Sequence, residues 1–89
     1  MKLKITPTES FKRDVKNLRK KNTRIAESLK ELNLELGDGE YGAPIGKGVY
    51  KKRVRNVDSK KGKRGGFRVI GYKDIEMKKF YLLDYLFQK

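Results

Sequence analysis

The sequence predicts an α+β domain of order β-α-α-β-β-β, an antiparallel sheet with an N-terminal helical hairpin packed on one face. Two helix-period apolar stripes stand one after the other in its first half, and strand-like alternation stands on either side of them. Neither stripe is wide enough to be stable unpaired, and the sheet needs one face covered, so the two halves complete each other. Eighty-nine residues hold one domain, 1–89, with no second unit, linker or internal repeat.

Lys2 to Ile5 alternates, Leu3 and Ile5 against Lys2 and Lys4, as a short half-buried strand does. Thr6-Pro7-Thr8-Glu9 then supplies a capping hydroxyl, Pro at the first helical position and Glu three residues after the cap. Phe11, Val15 and Leu18 form the first helical stripe. Asn22-Thr23 breaks it, and Ile25, Leu29, Leu32 and Leu36 form the second, which Gly37 is expected to stop in the left-handed conformation. From Gly37 to Gly48, five Gly and one Pro read as a loop, with Ala43-Pro44-Ile45 packing beneath it. Val49 to Val57 reads as a strand with Lys51, Arg53 and Arg55 on one side. Gly66 to Tyr72 reads as the next strand, Phe67 and Val69 facing the core and Arg68, Ile70 and Tyr72 facing away. Lys73 to Glu76 is a polar turn, and Lys79 to Phe87 is a last strand, apolar on both faces and interrupted by Asp84.

The net charge of +13 repels itself on so short a chain, so a polyanion or an acidic protein is the expected partner. Without Cys or His there is no disulfide framework, no thiolate, and neither the commonest metal ligand nor the commonest general base. The acids form no metal-ligand grouping, which argues against a metal or other cofactor. No apolar run is long enough to span a membrane and no signal-peptide core follows Met1, so a cytoplasmic protein is expected.

The charge is concentrated. Nine cations stand between Lys51 and Arg68 against one acid, Asp58, which accounts for +8 of the +13. The connecting loop, Lys60 to Gly66, has three Gly that let backbone amides approach an anion, though it lacks the spacing of a Walker loop. Arg53, Arg55 and Arg68 are the sharper signal, because strand residues are held in place and a guanidinium can grip a phosphate by two hydrogen bonds. Tyr72 shares Arg68's face, where a phenol can stack on an unpaired base or move a proton. RNA cleavage at such a site would turn the ribose 2′-OH onto the adjacent phosphate. That needs a base, cations around the phosphorane and an acid for the leaving oxygen. A lysine depressed by cationic neighbours, or a tyrosine, can be the base; an arginine can only stabilise.

The opening strand followed by SFKRDVKNL, the segment from Gly42-Ala43-Pro44 into GVYKKRVR, and above all KGKRGGFRVIGY resemble the RelE/ParE superfamily of type II toxin–antitoxin toxins, and within it the HigB-type members. The likeness covers nearly the whole chain and agrees with the element order. It implies a ribosome-dependent endonuclease that cuts mRNA in the ribosomal A site without metal and is held inactive by a cognate antitoxin. By motif, Lys51, Arg53, Arg55 and Arg68 resemble the positions that contact and activate the scissile phosphate, and Lys63 and Arg64 resemble the HigB-type loop cations that approach RNA. Arg53, Arg55, Lys63, Arg68 and Tyr72 are therefore the expected catalytic residues. Lys51, Lys52, Lys60, Lys61, Arg64 and Lys89 are the expected RNA-binding ones. Family members often continue with a late basic residue, a tyrosine and a short helix. Here Lys89 stands for the first, and Tyr72, Tyr81 or Tyr85 can replace the second. Two other readings share the fold or the charge: a ParE-like inhibitor of DNA gyrase, and a non-catalytic RNA-binding protein.

Overall fold

The computed structural model describes residues 3–55 and 66–87. Strand β1 is Lys4–Pro7, helix α1 Glu9–Arg19 and helix α2 Ile25–Gly37; strands β2 to β5 are Ala43–Gly46, Val49–Val54, Phe67–Asp74 and Lys79–Phe87. The strands form one sheet of order β1-β5-β4-β3-β2, and the two helices cover one of its faces. Phe11 from α1 and Ile25, Leu32 and Leu36 from α2 meet Val54, Phe67, Val69, Phe80, Leu82 and Tyr85 from the sheet in a single core. Its centre is aromatic: the Tyr85 ring meets Phe11 edge-on at 5.4 Å and Phe67 at 4.8 Å between centroids, contacts worth roughly 0.5–1.5 kcal/mol each beyond burial.

The layered α+β arrangement is the one expected, with two differences. The sheet is mixed, because β1 runs parallel to β5 from Lys4↔Lys79 to Pro7↔Leu82 while the other pairs are antiparallel. Alternation along a strand reveals its buried face and says nothing of its direction. The second difference is β2: Ala43-Pro44-Ile45, expected to pack beneath a loop, instead forms an exposed edge strand on β3, with Ile45 55% accessible. Proline is tolerated there because an edge strand has one side without ladder bonds.

Pairing with β5 also moves the start of α1. Pro7 stays extended opposite Leu82, so Thr8 rather than Thr6 is the cap. The Thr8 hydroxyl accepts from the Phe11 amide at 3.3 Å and donates to the Leu82 carbonyl at 2.8 Å, tying helix to sheet. The Thr6 hydroxyl donates to the Lys4 carbonyl. At the other end of the hairpin Gly37 is still helical, and the left-handed residue is Gly39, φ 86°.

Strand β5 keeps two faces apolar through a β-bulge. Ile70 pairs with Asp84 but the next residue, Gly71, pairs with Leu82, leaving Leu83 extra. Phe80 and Leu82 face the helices before the bulge and Tyr85 after it, so Asp84 falls on the uncovered side. Gly71 lies beneath the Phe80 ring, in a space that a Cβ would fill.

Candidate nucleic-acid interface

Strand alternation sorts the basic residues into two groups. On β3, Tyr50, Lys52 and Val54 face the helices and Val49, Lys51 and Arg53 face the uncovered side. On β4, Phe67 and Val69 are buried at 0% and 1%, while Arg68, Ile70 and Tyr72 face the uncovered side. The β3–β4 register sets Arg53 directly opposite Arg68, Lys51 opposite Ile70 and Val49 opposite Tyr72. Three cations and a phenol therefore share one patch.

Two guanidinium groups on directly opposed positions disfavour the pair unless an anion lies between or beside them. Neither arginine forms an ion pair among the described residues, and the buried Arg68 Nε has no hydrogen-bond partner there. A buried N–H without an acceptor costs about 1–3 kcal/mol, so the patch is poised to take an anion. Tyr72 is 39% accessible. Its ring lies over Gly48, φ 72°, where an added Cβ would come within 2.9 Å of the ring's Cε1, and the Gly48 carbonyl accepts from the Lys73 amide at 2.8 Å. Gly48 thus leaves the room in which the ring lies. Tyr81 pairs with Tyr72 across β4–β5.

Other expected site residues lie elsewhere. Lys52, counted above as RNA-binding, is 8% accessible on the helix side, with Nζ 3.1 Å from Glu35 Oε1. Its place between Tyr50 and Val54 in the alternation puts it there. Arg55, counted as catalytic, turns to α2 and donates from Nη2 to Glu31 Oε2 at 3.1 Å, so Arg53 and Arg68 are together without it. Tyr85, offered as a substitute proton-transfer group, is fully buried, and burial pushes its phenol well above the usual tyrosine range. Lys60, Lys61, Lys63, Arg64 and Lys89, and the strand reading at Val57, lie outside the described residues.

The residues that sequence reasoning missed are acids. Glu27, Glu31 and Glu35 stand four apart along α2, and the last two hold Arg55 and Lys52. Glu27 takes two hydrogen bonds from Arg24. That bonding, with the charges of Arg24 and Arg55, holds its carboxyl below the ordinary range. The spacing of four was visible in the sequence as a helix face; that β3 packs alongside it was not.

A sheet whose uncovered face carries opposed arginines beside a tyrosine, backed by a helical hairpin, defines a small basic α+β domain with a candidate anion-binding face. Over residues 3–89 the chain matches the family described as the RelE toxin of the RelE / RelB toxin-antitoxin system. The chain belongs to this RelE toxin family, which makes it the toxin of a type II toxin–antitoxin pair with a cognate antitoxin as partner. No curated protein and no solved structure matches it. Among the described residues, no helix is long and apolar enough to cross a membrane and no three metal-ligating side chains cluster.

Proposed function

We propose that the chain is an mRNA interferase of HigB type that cuts mRNA within the ribosomal A site, and that the uncovered face of β3 and β4 is its active surface. The observation that carries this reading is the opposed pair Arg53 and Arg68, two guanidinium groups without an acidic partner among the described residues.

The chemistry fits those side chains. The ribose 2′-oxygen attacks the adjacent phosphorus, a 2′-O–P bond forms, the P–O5′ bond breaks, and the products are a 2′,3′-cyclic phosphate and a 5′-hydroxyl. Charge accumulates on the phosphorane's equatorial oxygens, where Arg53 and Arg68 supply bidentate donors and Lys51 a further cation. Tyr72 is the proposed group for exchanging a proton with the 2′-oxygen or the leaving oxygen, and Tyr81, paired with it across β4–β5, is the alternative on the same face. Lys63, in the segment between β3 and β4, completes the proposed catalytic set. Lys60, Lys61, Arg64 and Lys89 are proposed to contact the RNA backbone. Such a site makes few contacts of its own with a single strand, so a ribosome that presents the mRNA in a fixed geometry provides much of the rate. The clustering of cations on the sheet favours a phosphate ligand over gyrase as target.

The test is inducible expression in bacteria of the intact chain and of Arg68→Ala, reading growth and mRNA 5′ ends. The intact chain is expected to arrest growth and to create new 5′ ends at translated codons. The variant is expected to lose at least about a hundred-fold of cleavage, the scale of removing one preorganised donor to a transition-state oxyanion, while binding weakens far less. Arrest without cuts would point to gyrase and overturn the nuclease reading. Cleavage that falls only in step with binding would remove Arg68 from catalysis.

A further inference from the structure

The nuclease reading leaves Arg55 unused, because its guanidinium is on α2 and not on the basic patch. By alternation it belongs to the same side of β3 as Lys51 and Arg53, two positions beyond Arg53, yet it reaches Glu31. Of the five N–H donors on a guanidinium, one is engaged in that contact. Both partners are open to water, with side chains 51% and 30% accessible for Arg55 and Glu31. Exposed ion pairs of this kind are weak and exchange readily. One turn further along α2, Glu35 holds Lys52 at the same 3.1 Å with side chains only 22% and 9% accessible. The second pair is a fixed part of the fold, and the first is built to open. A shallow groove lined by Arg24, Glu27, Lys30, Glu31, Leu34 and Arg55 leaves space for the arginine to turn.

We infer that Glu31 is a positioning residue that stores Arg55 beside α2 until an RNA phosphate takes it over. The inference rests on the proposal that the sheet face binds RNA. A phosphate presents two acceptor oxygens and can engage the guanidinium bidentately where Glu31 engages one N–H. On binding, the Arg55–Glu31 bond is exchanged for Arg55–phosphate bonds. The patch then gains a third arginine, and Glu31 is left to water, which its exposure permits. Glu27, which also faces Arg55 electrostatically, stays bonded to Arg24 throughout.

The experiment measures binding of a short unpaired RNA oligonucleotide by fluorescence anisotropy across a salt series. It compares the intact chain, Glu31→Gln, Glu31→Asp, Arg55→Ala and the double variant Glu31→Gln/Arg55→Ala, with Glu76→Gln on the β4–β5 turn as a control for loss of one negative charge. Glu31→Gln is expected to bind roughly two- to five-fold tighter, the scale of releasing one exposed ion pair. Its logarithmic salt dependence is expected to stay close to that of the intact chain, since both hand Arg55 to a phosphate when bound, and to flatten by about 0.7, one phosphate contact on a single strand, in Arg55→Ala. Glu31→Asp keeps the carboxylate and is expected to behave as the intact chain, and the gain is expected to vanish when Arg55 is alanine. No gain, a loss of affinity, or an equal gain in the Arg55→Ala background or in Glu76→Gln would overturn the inference. An intact chain that binds RNA but never cuts translated mRNA sinks the nuclease proposal and leaves the exchange standing. A cutting enzyme whose Glu31→Gln variant gains nothing sinks the exchange alone, and an intact chain that ignores RNA sinks both.

Discussion

Lys52→Ala separates the two groups of basic residues most directly. Lys52 Nζ is 3.1 Å from Glu35 Oε1, and the side chains are 9% and 22% accessible. Removing one partner of a buried pair costs about 3–5 kcal/mol, chiefly because the other charge is left desolvated. Glu35 keeps some water, which lowers the expected cost to about 2–3 kcal/mol. For a domain of this size each kcal/mol moves the melting temperature by about 4–8 °C, so a drop of about 10–20 °C is expected in a circular-dichroism melt. Replacing both residues, as Lys52→Met with Glu35→Leu, removes the half-buried carboxylate as well, and the melt is expected to return to within about 1 kcal/mol of the starting protein. RNA affinity at a temperature where the variants are folded is expected to keep its salt dependence, because Lys52 contacts no phosphate. A Lys52→Ala protein that melts as the original does, and whose salt dependence falls by the value of one phosphate contact, would refute the assignment of Lys52 to the fold.

Two further substitutions probe the core. Tyr85→Phe removes a buried hydroxyl that has no partner among the described residues, so stability at neutral pH is expected to hold or to rise by up to about 1 kcal/mol. Because burial raises the Tyr85 pKa, the folded chain keeps a proton that the unfolded chain loses above about pH 10. The intact protein is therefore expected to lose up to about 1.4 kcal/mol per pH unit in that range through this residue. Urea midpoints from pH 9 to 11 check this, and equal slopes in the two proteins would contradict it. Gly71→Ala drives a methyl into the Phe80 ring, with the Tyr81 carbonyl 3.2 Å away. Overpacking there is expected to cost about 1–3 kcal/mol, read as a lower urea midpoint with an unchanged slope.

Much of the candidate site was legible because a strand has a period of two. Phe67 and Val69 against Arg68, Ile70 and Tyr72 is a division that only one register of the pleat allows, and the structure has it. The same alternation already placed Lys52 away from Lys51 and Arg53; counting charges along the hairpin concealed this. Other features depend on contacts between distant segments. The pairing of Pro7 with Leu82 overrode a good local capping signal at Thr6, and the Gly- and Pro-rich stretch before β3 hid an edge strand whose hydrogen bonds come from its neighbour. Glu31 and Glu35 gain their partners only when β3 is laid alongside α2. Their role is set by what packs against them, which helical periodicity does not contain.

The parallel pairing of β1 with β5 has a consequence for the order in which this toxin comes into being. The Thr8 hydroxyl bonds to a carbonyl 74 residues further on, and the principal partner of α1 in the sheet is β5. β1 and α1 therefore lack their principal partner until β5 is made. Loop closure over so long a separation must precede the contacts that reward it. β4 likewise lacks the neighbour on its other edge until β5 arrives. A nascent chain still short of β5 lacks the strand against which its first helix is held, so a partner acting in that interval would meet a chain whose N-terminal elements have yet to find their place.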